Sequence, residues 1–462
     1  MKRSSLVLVF IALLFNWSAN AGDATASHNA FVVDLPSVLR LAGARNLDIQ
    51  LAREKFAEAH AAEEGAIERF FPWIAPGVTY RRHDNLIQNT EGLIEDVHKQ
   101  SYAPGGTVVA ETDIGDAIFK SLEAHQLTKA ARHGFDAQRQ EITLAVAHGY
   151  FDLAAAHEAV GVAQEALRTS TDYATQIDRA VNAGIAFKGD ALRVKLQQQR
   201  DEIALRRAEQ NVRLASAKLV QILHLDPMVE LVPRAACVVP LSIVSAKESP
   251  GDLVAQALAA RPETQQSVAF LSAAEHAKNR VIYGPLIPSV GGGAFFGGLG
   301  GGKDNESGHF GESEDYVALL TWRVGSGGLF DFGNIHARQA RLRGAALTAD
   351  KVIDQVANEV ITSQTRVRSL ADQIATAKQS LSDAAEALRL GEERKEFGVG
   401  VVLETILAEQ DLARARNDYL NIVTDYNKTQ YALLRASGRL SAPDQSARFS
   451  GIKRPVKASD QK

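Results

Sequence analysis

Residues 297–303 resemble a site that could bind a nucleotide. They read Gly-Gly-Leu-Gly-Gly-Gly-Lys, which approaches a phosphate-binding loop. Such a loop requires Ser or Thr after the lysine to hold Mg²⁺, and a helix directly behind it. Here Asp304 follows the lysine, and the next residues are polar or glycine. The pattern therefore favours a flexible surface loop over a nucleotide site.

Other residue types used in catalysis or metal binding do not form a recognisable site. Two acid–histidine pairs, Glu95 with His98 and Glu306 with His309, have a spacing that binds metal when it projects from bundle helices. Both pairs lie in predicted loops. The only cysteine, Cys237, excludes an internal disulfide and is typical of a small packed hydrophobic residue. No nucleophile, base and oxyanion donor come together. The sequence predicts no enzyme, no cofactor and no metal.

The N-terminus indicates export from the cytoplasm. Lys2 and Arg3 precede an apolar run over residues 6–15, followed by Ala-Asn-Ala at 19–21. This is the pattern of a signal peptide spanning residues 1–21. A membrane anchor is the less favoured alternative, because a spanning helix needs about 20 apolar residues. No later run of that kind exists, so the mature chain would meet a membrane only through β-strands.

The composition excludes several other classes of protein. Hydrophobic residues make up 45% and charged residues 23% of the 462 residues, as in folded proteins. The formal net charge of −4 argues against nucleic acid as a partner.

The chain repeats one plan at an offset of about 214 residues. The helix-like stretch 35–70 has a counterpart at 251–283, and residues 74–78 match 286–290. Two further matches are Asp116 with Asp331, and Gly184 and Asp190 with Gly398 and Glu404. Such agreement indicates a duplication. We therefore predict a first repeat over 22–226, a connector with several prolines over 227–250, a second repeat over 251–440 and a tail over 441–462.

Each repeat contains a long helical hairpin. Residues 117–181 and 334–396 are proline-free runs rich in Ala, Leu and charged residues. A run of this length gives a helix of roughly 95 Å, typical of a coiled coil or helical bundle. Each run ends at a glycine-containing tip, 183–185 or 398–400, and a second helix returns to about residue 225 or 437. The many small alanines predict that these helices pack closely in pairs.

Four segments between the helices alternate apolar and polar residues, as strands do. Their apolar positions are Ile74, Pro76, Val78 and Tyr80; Val108, Ala110, Thr112 and Ile114; Val290, Gly292, Ala294 and Phe296; and Tyr316, Ala318, Leu320, Trp322 and Val324. Aromatic residues near the strand ends suit membrane interfaces. Residues 85–100 and 303–315 are predicted to be polar loops at the far end. A soluble four-stranded sheet fits the same alternation.

These features together resemble the outer membrane efflux proteins, the TolC-like family, along nearly all of the mature length. The resemblance rests on residues 322–333, W-R-V-G-S-G-G-L-F-D-F-G, and on the two glycine tips followed by an acid. It implies a mainly α fold with a small β part, in which duplicated hairpins of long helices form a periplasmic α-barrel. It also implies four strands per protomer in a trimeric, 12-stranded transmembrane β-barrel. Four strands cannot close alone in lipid, which independently favours an oligomer.

The resemblance also implies a function and its residues. The protein would be the outer-membrane channel of a tripartite efflux or type I secretion system, opened by a periplasmic adaptor and powered by an inner-membrane pump. The implied positions are Asp190 and Glu404 at the pore aperture, Gly184, Gly398 and Gly400 at adaptor-docking tips, and Asp116, Asp331 and Gly333 at strand-to-helix junctions. A ring of carboxylates in a narrow pore favours cations.

Some expectations remain open at this stage. Asp190 and Glu404 also suit plain helix N-termini, where acids are favourable. Leu407 stands where some relatives carry a second acid, and Glu409 is the nearest alternative. The segment 114–119 departs from the Leu-Phe-Asp-Phe-Gly of residues 329–333. A soluble periplasmic coiled-coil adaptor or scaffold is the competing class, and a porin would lack long helices. The cargo and the energy source are not specified by the sequence.

Overall fold

The computed structural model describes residues 30–234, 238–245, 247–303, 308, 310–396 and 402–440. Several predictions fall outside these residues. They are the signal peptide, Cys237, the pair Glu306 and His309, the second tip with Gly398 and Gly400, and the tail over 441–462.

The described chain is dominated by helices, and the strands form a small part, as the sequence predicts. The elements are β1 (Ala30–Val33), α1 (Leu35–Arg45), α2 (Leu47–Glu68), β2 (Trp73–Gln88), β3 (Ile94–Asp113), α3 (Ile114–Asn182), α4 (Lys188–Leu223), β4 (Glu230–Pro233), α5 (Pro250–Ala260), α6 (Pro262–Tyr283), a 3₁₀ turn (Gly284–Leu286), β5 (Ser289–Lys303), β6 (Phe310–Thr321), α7 (Phe332–Glu396) and α8 (Val402–Ala436). The 69 residues of α3 span about 104 Å. None of the described helices is apolar over a length sufficient to cross a membrane.

Each helix-like stretch before a strand pair consists of two helices. The chain leaves the helix at Asn46, between α1 and α2, and at Arg261, between α5 and α6, where both residues have extended backbones. Arg261 precedes Pro262, and proline disfavours helical backbone in the residue before it. At Asn46 the side chain accepts hydrogen bonds from the backbone N–H groups of Asp48 and Ile49 at 2.8 and 3.1 Å, which begins a new helix.

Asn46 also ties this break to the rest of the fold. It is 1% exposed, and its amide donates to the carbonyl of Ile222 in α4 at 2.8 Å. We expect Asn46→Ala to lower the free energy of unfolding by about 2–3 kcal/mol, because the cap and a buried hydrogen bond are both lost. Denaturation followed by circular dichroism measures this. Asn46→Ser keeps the cap alone and should lose about half as much; equal stability of all three proteins would contradict the assignment.

The four long strands form one antiparallel sheet in the order β2-β3-β5-β6. Ile74 lies opposite Val108, Val108 opposite Ala294, and Ala294 opposite Tyr316. Directly opposed residues point to the same face of a sheet. The predicted apolar positions of the four strands therefore share one face, as the alternation requires.

The predicted strand ends need correction. Ile114 begins α3 instead of ending a strand, and β6 stops at Thr321, before Trp322 and Val324. The segment after Trp322 turns, with Gly325 at φ 100°, a left-handed conformation that glycine adopts readily. Strand β3 therefore ends one residue earlier than its apolar pattern, and β6 ends three residues earlier.

The predicted loops at the far end are also largely strand. Within the predicted loop 85–100, strand β2 continues to Gln88 and β3 begins at Ile94. Within the predicted loop 303–315, strand β6 begins at Phe310. The side chain of Asn89 accepts hydrogen bonds from the N–H groups of Glu91 and Leu93 and closes the first hairpin. Residues 297–303, expected to be a loop, belong to β5. Alternation of hydrophobicity disappears where both faces of a hairpin are polar or glycine-rich, so the pattern gave no signal there.

Strand β4 and the segment 238–245, which the sequence did not predict, pack across the base of the two hairpins. Strand β4, inside the predicted connector, pairs in parallel with β1. Residues 238–245 are held by α8, where the fully buried Gln430 accepts from the backbone N–H groups of Ile243 and Val244. Ser216 in α4, 214 residues before Gln430, likewise accepts from the N–H of Leu231 at 2.8 Å. Each hairpin thus carries a buried polar residue that fixes the segment crossing it.

Candidate functional site

The starts of the two returning helices lie at the same end of the protein. Tyr173 and Ile177 of α3, Val194 of α4 and Ile406 of α8 form one buried cluster. Val194 is 1% exposed and Ile406 is 6% exposed, so the contact is dry. This cluster positions the first turns of α4 and α8, which carry the two predicted aperture acids.

Both predicted acids face water, and each has an arginine partner. Asp190 Oδ1 lies 3.5 Å from Arg193 Nη1, one turn later in α4, and the Asp190 side chain is 31% exposed. Glu404 Oε1 accepts from Arg394 Nη1 of α7 at 2.7 Å, and its side chain is 44% exposed. Pairs as exposed as these contribute about 0–1 kcal/mol and leave a solvated carboxylate. The two acids are thus available to an ion, and their charge is partly offset.

Tyr173 lies within electrostatic reach of both Asp190 and Glu409. Burial raises the pKa of the Tyr173 hydroxyl, a hydrogen bond with the Thr405 side chain lowers it, and the charges of Glu409 and Asp190 raise it. Tyr173, Thr405 and Glu409 also line a groove of about 350 Å³ between α3 and the α7–α8 hairpin. Leu407 is 49% exposed. Glu409 therefore lies in the same electrostatic neighbourhood as Asp190, which makes it a third candidate for the aperture.

The first tip presents apolar side chains to solvent. Gly184 has φ +73°, and a Cβ there would meet nothing within 4 Å. The left-handed residue ends α3 and lets the chain reverse. Ile185 and Phe187 follow, 83% and 74% exposed. Two apolar side chains at the end of a charged hairpin are a small surface suited to a partner protein.

The first strand-to-helix junction is capped by a residue other than the predicted one. Asp113 precedes α3, and its Oδ1 accepts from the backbone N–H of Asp116 at 3.0 Å. Asp116 lies in the first turn and approaches Arg280 Nε at 3.6 Å. Asp113, not Asp116, is thus the structural counterpart of Asp331. The offset of about 214 residues favours Asp116, 215 positions before Asp331, over Asp113, so the repeat alone does not identify the cap.

The second junction is organised by Asp331. Its two oxygens accept from the backbone N–H groups of Gly327 at 2.8 Å and Asn334 at 3.1 Å. These hydrogen bonds hold the pKa of Asp331 below its usual range. Gly333, in the first turn of α7, has only ordinary contact with Asp331 at the position of a Cβ. Asp331 therefore fixes the start of α7, while Gly333 has no evident steric task.

The structure brings the two junctions together. Asp113, Asp116 and Asp331 line one cavity of about 290 Å³ with Arg280. Beside it, the backbone of α3 touches the 3₁₀ turn. A Cβ on the buried Gly115 would lie 2.1 Å from the carbonyl oxygen of Gly284. Gly115 was not identified from the sequence, because a close backbone contact between distant segments leaves no local pattern.

The described residues include no cluster of three or more potential metal ligands. Glu95 and His98 both lie in β3, where residues three apart point to opposite faces. His98 contacts Asp84 of β2 instead, with Nδ1 3.0 Å from Oδ1. The prediction that this pair lies in a loop is wrong.

The sequence comparisons identify relatives of the second repeat and of much of the chain. Residues 253–439 match the family of outer membrane efflux proteins. Protein CyaE of Bordetella pertussis is 27% identical over 334 residues, which cover 70% of this chain and 67% of CyaE. The resemblance inferred from the tips and from residues 322–333 is thereby confirmed.

Solved structures extend the likeness to nearly the whole fold. The Campylobacter jejuni CmeC outer membrane channel superimposes with a TM-score of 0.77 at 16% identity, covering 90% of this chain and 87% of CmeC. The open state of the Neisseria gonorrhoeae MtrE outer membrane channel gives 0.72 at 17% identity, covering 89% and 90%. At such identities the comparison establishes a shared fold.

Proposed function

Since residues 253–439 match the outer membrane efflux proteins and the fold resembles that of solved outer membrane channels, we propose that the chain is an export duct of the bacterial outer membrane. Three copies would each give four strands to a 12-stranded barrel and two helical hairpins to a periplasmic tunnel. The duct would be passive, opened by a periplasmic adaptor and powered by an inner-membrane pump, in a tripartite efflux or type I secretion system.

The observation that supports this proposal most strongly is a four-stranded sheet that does not close on itself. Among the described strands, β2 and β6 form the two edges of the four-stranded sheet. One face of that sheet is apolar, with Ile74, Val78 and Leu320 between 57% and 72% exposed. An apolar face placed in lipid cannot leave edge N–H and C=O groups unpaired, because each would cost several kcal/mol. Pairing β6 of one copy with β2 of the next satisfies both edges.

The helical part supports a conduit rather than a closed domain. Helix α3 extends about 104 Å from the sheet to the tip, and α7 is nearly as long. The exposed Ile185 and Phe187 at the tip supply the surface on which an adaptor would dock. The aperture acids lie at this end, distant from the sheet.

Fractionation and conductance test the proposal directly. We expect the full chain to need detergent for release from the outer membrane, to migrate as a trimer that heat dissociates, and to conduct ions in planar bilayers. Recovery as a water-soluble periplasmic monomer would overturn the duct and favour a coiled-coil adaptor or scaffold.

A further prediction concerns Asp190 and Glu404, the acids that we propose for the aperture. Glu404→Ala and Asp190→Ala should each weaken block of the pore by multivalent cations about tenfold, because a narrow pore concentrates their field. Arg394→Ala should strengthen the block, since it frees the Glu404 charge. Single-channel titration with a trivalent cation measures both. Glu202→Ala, an exposed acid paired with Arg206 elsewhere on α4, is the control. Unchanged block in both acid variants would remove these residues from the aperture.

A further inference from the structure

The sheet face opposite the apolar one carries mostly small or polar side chains. Along the middle of the sheet, the residues on this face include Thr79, Arg81, Ser101, Gly105, Thr107, Gly297, Ser313 and Asp315. In a membrane barrel whose apolar face meets lipid, this face lines the lumen. Within β5 it carries one aromatic side chain, Phe295; Phe296 points to the other face.

The Phe295 ring lies over two glycines. A Cβ added to Gly105 would be 2.6 Å from its Cε2 atom, and a Cβ added to Gly297 would be 2.8 Å from its Cζ atom. Gly105 and Gly297 are directly opposite each other in the register of β3 and β5. The ring therefore rests against the backbone of the sheet where neither glycine has room for a side chain, because the backbone oxygens of Phe296 and Pro104 would also lie 2.5 and 2.3 Å from the two Cβ positions.

Rings also cover glycines on the lipid face. Phe310 lies over Gly298 and Tyr102 over Gly300. Aromatic cover of glycines in a sheet is a stabilising device in its own right. On the lipid face the arrangement affects only the stability of the sheet. On the lumen face the same arrangement decides how far a large side chain projects into the pore.

We propose that Gly105 and Gly297 form a recess that holds Phe295 flat against the lumen wall and thereby sets the free width of the duct within the membrane. This inference rests on the proposed function. Twelve strands at about 4.8 Å spacing and about 40° tilt enclose a backbone diameter of about 24 Å. Three Phe295 rings, one per copy, lie at a single level of that ring. Standing upright, they would point toward the axis and exclude the bulkiest cargo.

Conductance of a set of variants tests the recess. Gly297→Ala should lower single-channel conductance about twofold, because the new methyl group displaces three rings into the lumen. That methyl group would also approach the Pro104 carbonyl oxygen at 2.3 Å. The double variant Gly297→Ala/Phe295→Ala separates the two effects: it keeps the backbone contact and removes the ring, so conductance should return close to that of the wild type. Gly293→Ala is the matched control, since its Cβ would meet only the Val108 carbonyl, at 3.7 Å.

If Gly297→Ala does not assemble as a heat-sensitive trimer, Phe295→Ala alone tests whether the recess holds the ring flat against the wall. A ring already flat against the wall obstructs little, so its removal should leave conductance close to the wild-type value. A twofold increase would overturn the recess, as would a Gly297→Ala channel that conducts normally or a double variant that conducts as poorly as the single one. A wild-type protein without any conductance would reject the proposed duct instead.

Discussion

Gly115→Ala should destabilise the protein by about 3 kcal/mol or more and reduce the yield of the proposed trimer. The added Cβ would lie 2.1 Å from the carbonyl oxygen of Gly284 and 2.8 Å from its Cα. These are backbone atoms, so no rotamer change relieves the contact. Relief requires α3 to move away from the 3₁₀ turn that leads into β5. The same movement would shift the start of α3 relative to the sheet, where both halves of the chain meet. Thermal unfolding in detergent and the trimer fraction on unheated gels measure the two effects.

Two other glycines provide matched controls. A Cβ on Gly284, the other side of the same contact, would lie no closer than 3.5 Å to Gly115, so Gly284→Ala should be nearly neutral. Gly161, in the middle of α3, has nothing within 4 Å of its Cβ position. Gly161→Ala should stabilise by about 0.5–1 kcal/mol, because alanine favours helix. If Gly115→Ala has the same melting temperature as Gly161→Ala, the close contact between Gly115 and Gly284 does not constrain the junction.

Features that repeat along the chain were predictable from the sequence. The α3–α4 and α7–α8 hairpins follow from long runs without proline, and the apolar face of the sheet follows from alternation at positions such as Val78 and Leu320. Both patterns exist because burial recurs at a fixed period. The resemblance to the outer membrane efflux proteins rests on the same regularity, repeated about 214 residues apart.

Features that depend on one distant partner were not predictable. Gln430 reads as a surface residue of α8, yet it is fully buried because it holds the backbone of Ile243 and Val244, about 186 positions away. Asp113 and Asp116 are equivalent in the sequence pattern, and only the cap geometry shows that Asp113 begins α3. At the candidate aperture, Asp190 and Glu404 were selected by their place after the tips, but their arginine partners and Tyr173 required the structure.

Arg261 is the largest fully buried side chain in the described protein, and it lies in a network of charges. It is 2% exposed and donates to both oxygens of Glu263, at 3.2 and 2.9 Å, and to Glu359 at 2.5 Å. Arg435 of α8 also donates to Glu263, at 2.9 Å. The network joins α6, α7 and α8 at the base of the second hairpin. Removing Arg261 leaves the half-buried carboxylates of Glu263 and Glu359, 22% and 29% exposed, with fewer partners.

We therefore expect Arg261→Ala to cost about 3–5 kcal/mol at neutral pH, the penalty for leaving part of a buried ion pair. Arg168→Ala provides the control, since Arg168 pairs with Glu165 on the exposed surface of α3, and it should melt close to the wild type. Arg261→Met/Glu263→Leu should recover part of the loss, because an apolar pair leaves no unpaired charge. A double variant less stable than Arg261→Ala would show that packing rather than charge is responsible.

The pH dependence of the Arg261→Ala variant identifies the group that causes the loss. Burial by itself raises the pKa of Glu263, but the hydrogen bonds and charge of Arg261 outweigh it, so the pKa lies below the usual value. A carboxyl of lowered pKa stabilises the folded state above its unfolded pKa of about 4.3, and this contribution disappears as the pH falls through the folded pKa. Without Arg261, burial still raises the pKa of Glu263 and Arg435 is the remaining arginine that lowers it, so ionised Glu263 stabilises the folded state less. The difference in melting temperature between wild type and variant should thus be greatest near pH 7 and shrink below about pH 4. A difference that stays constant from pH 7 to pH 3 would mean that the ionisation of Glu263 has no part in it.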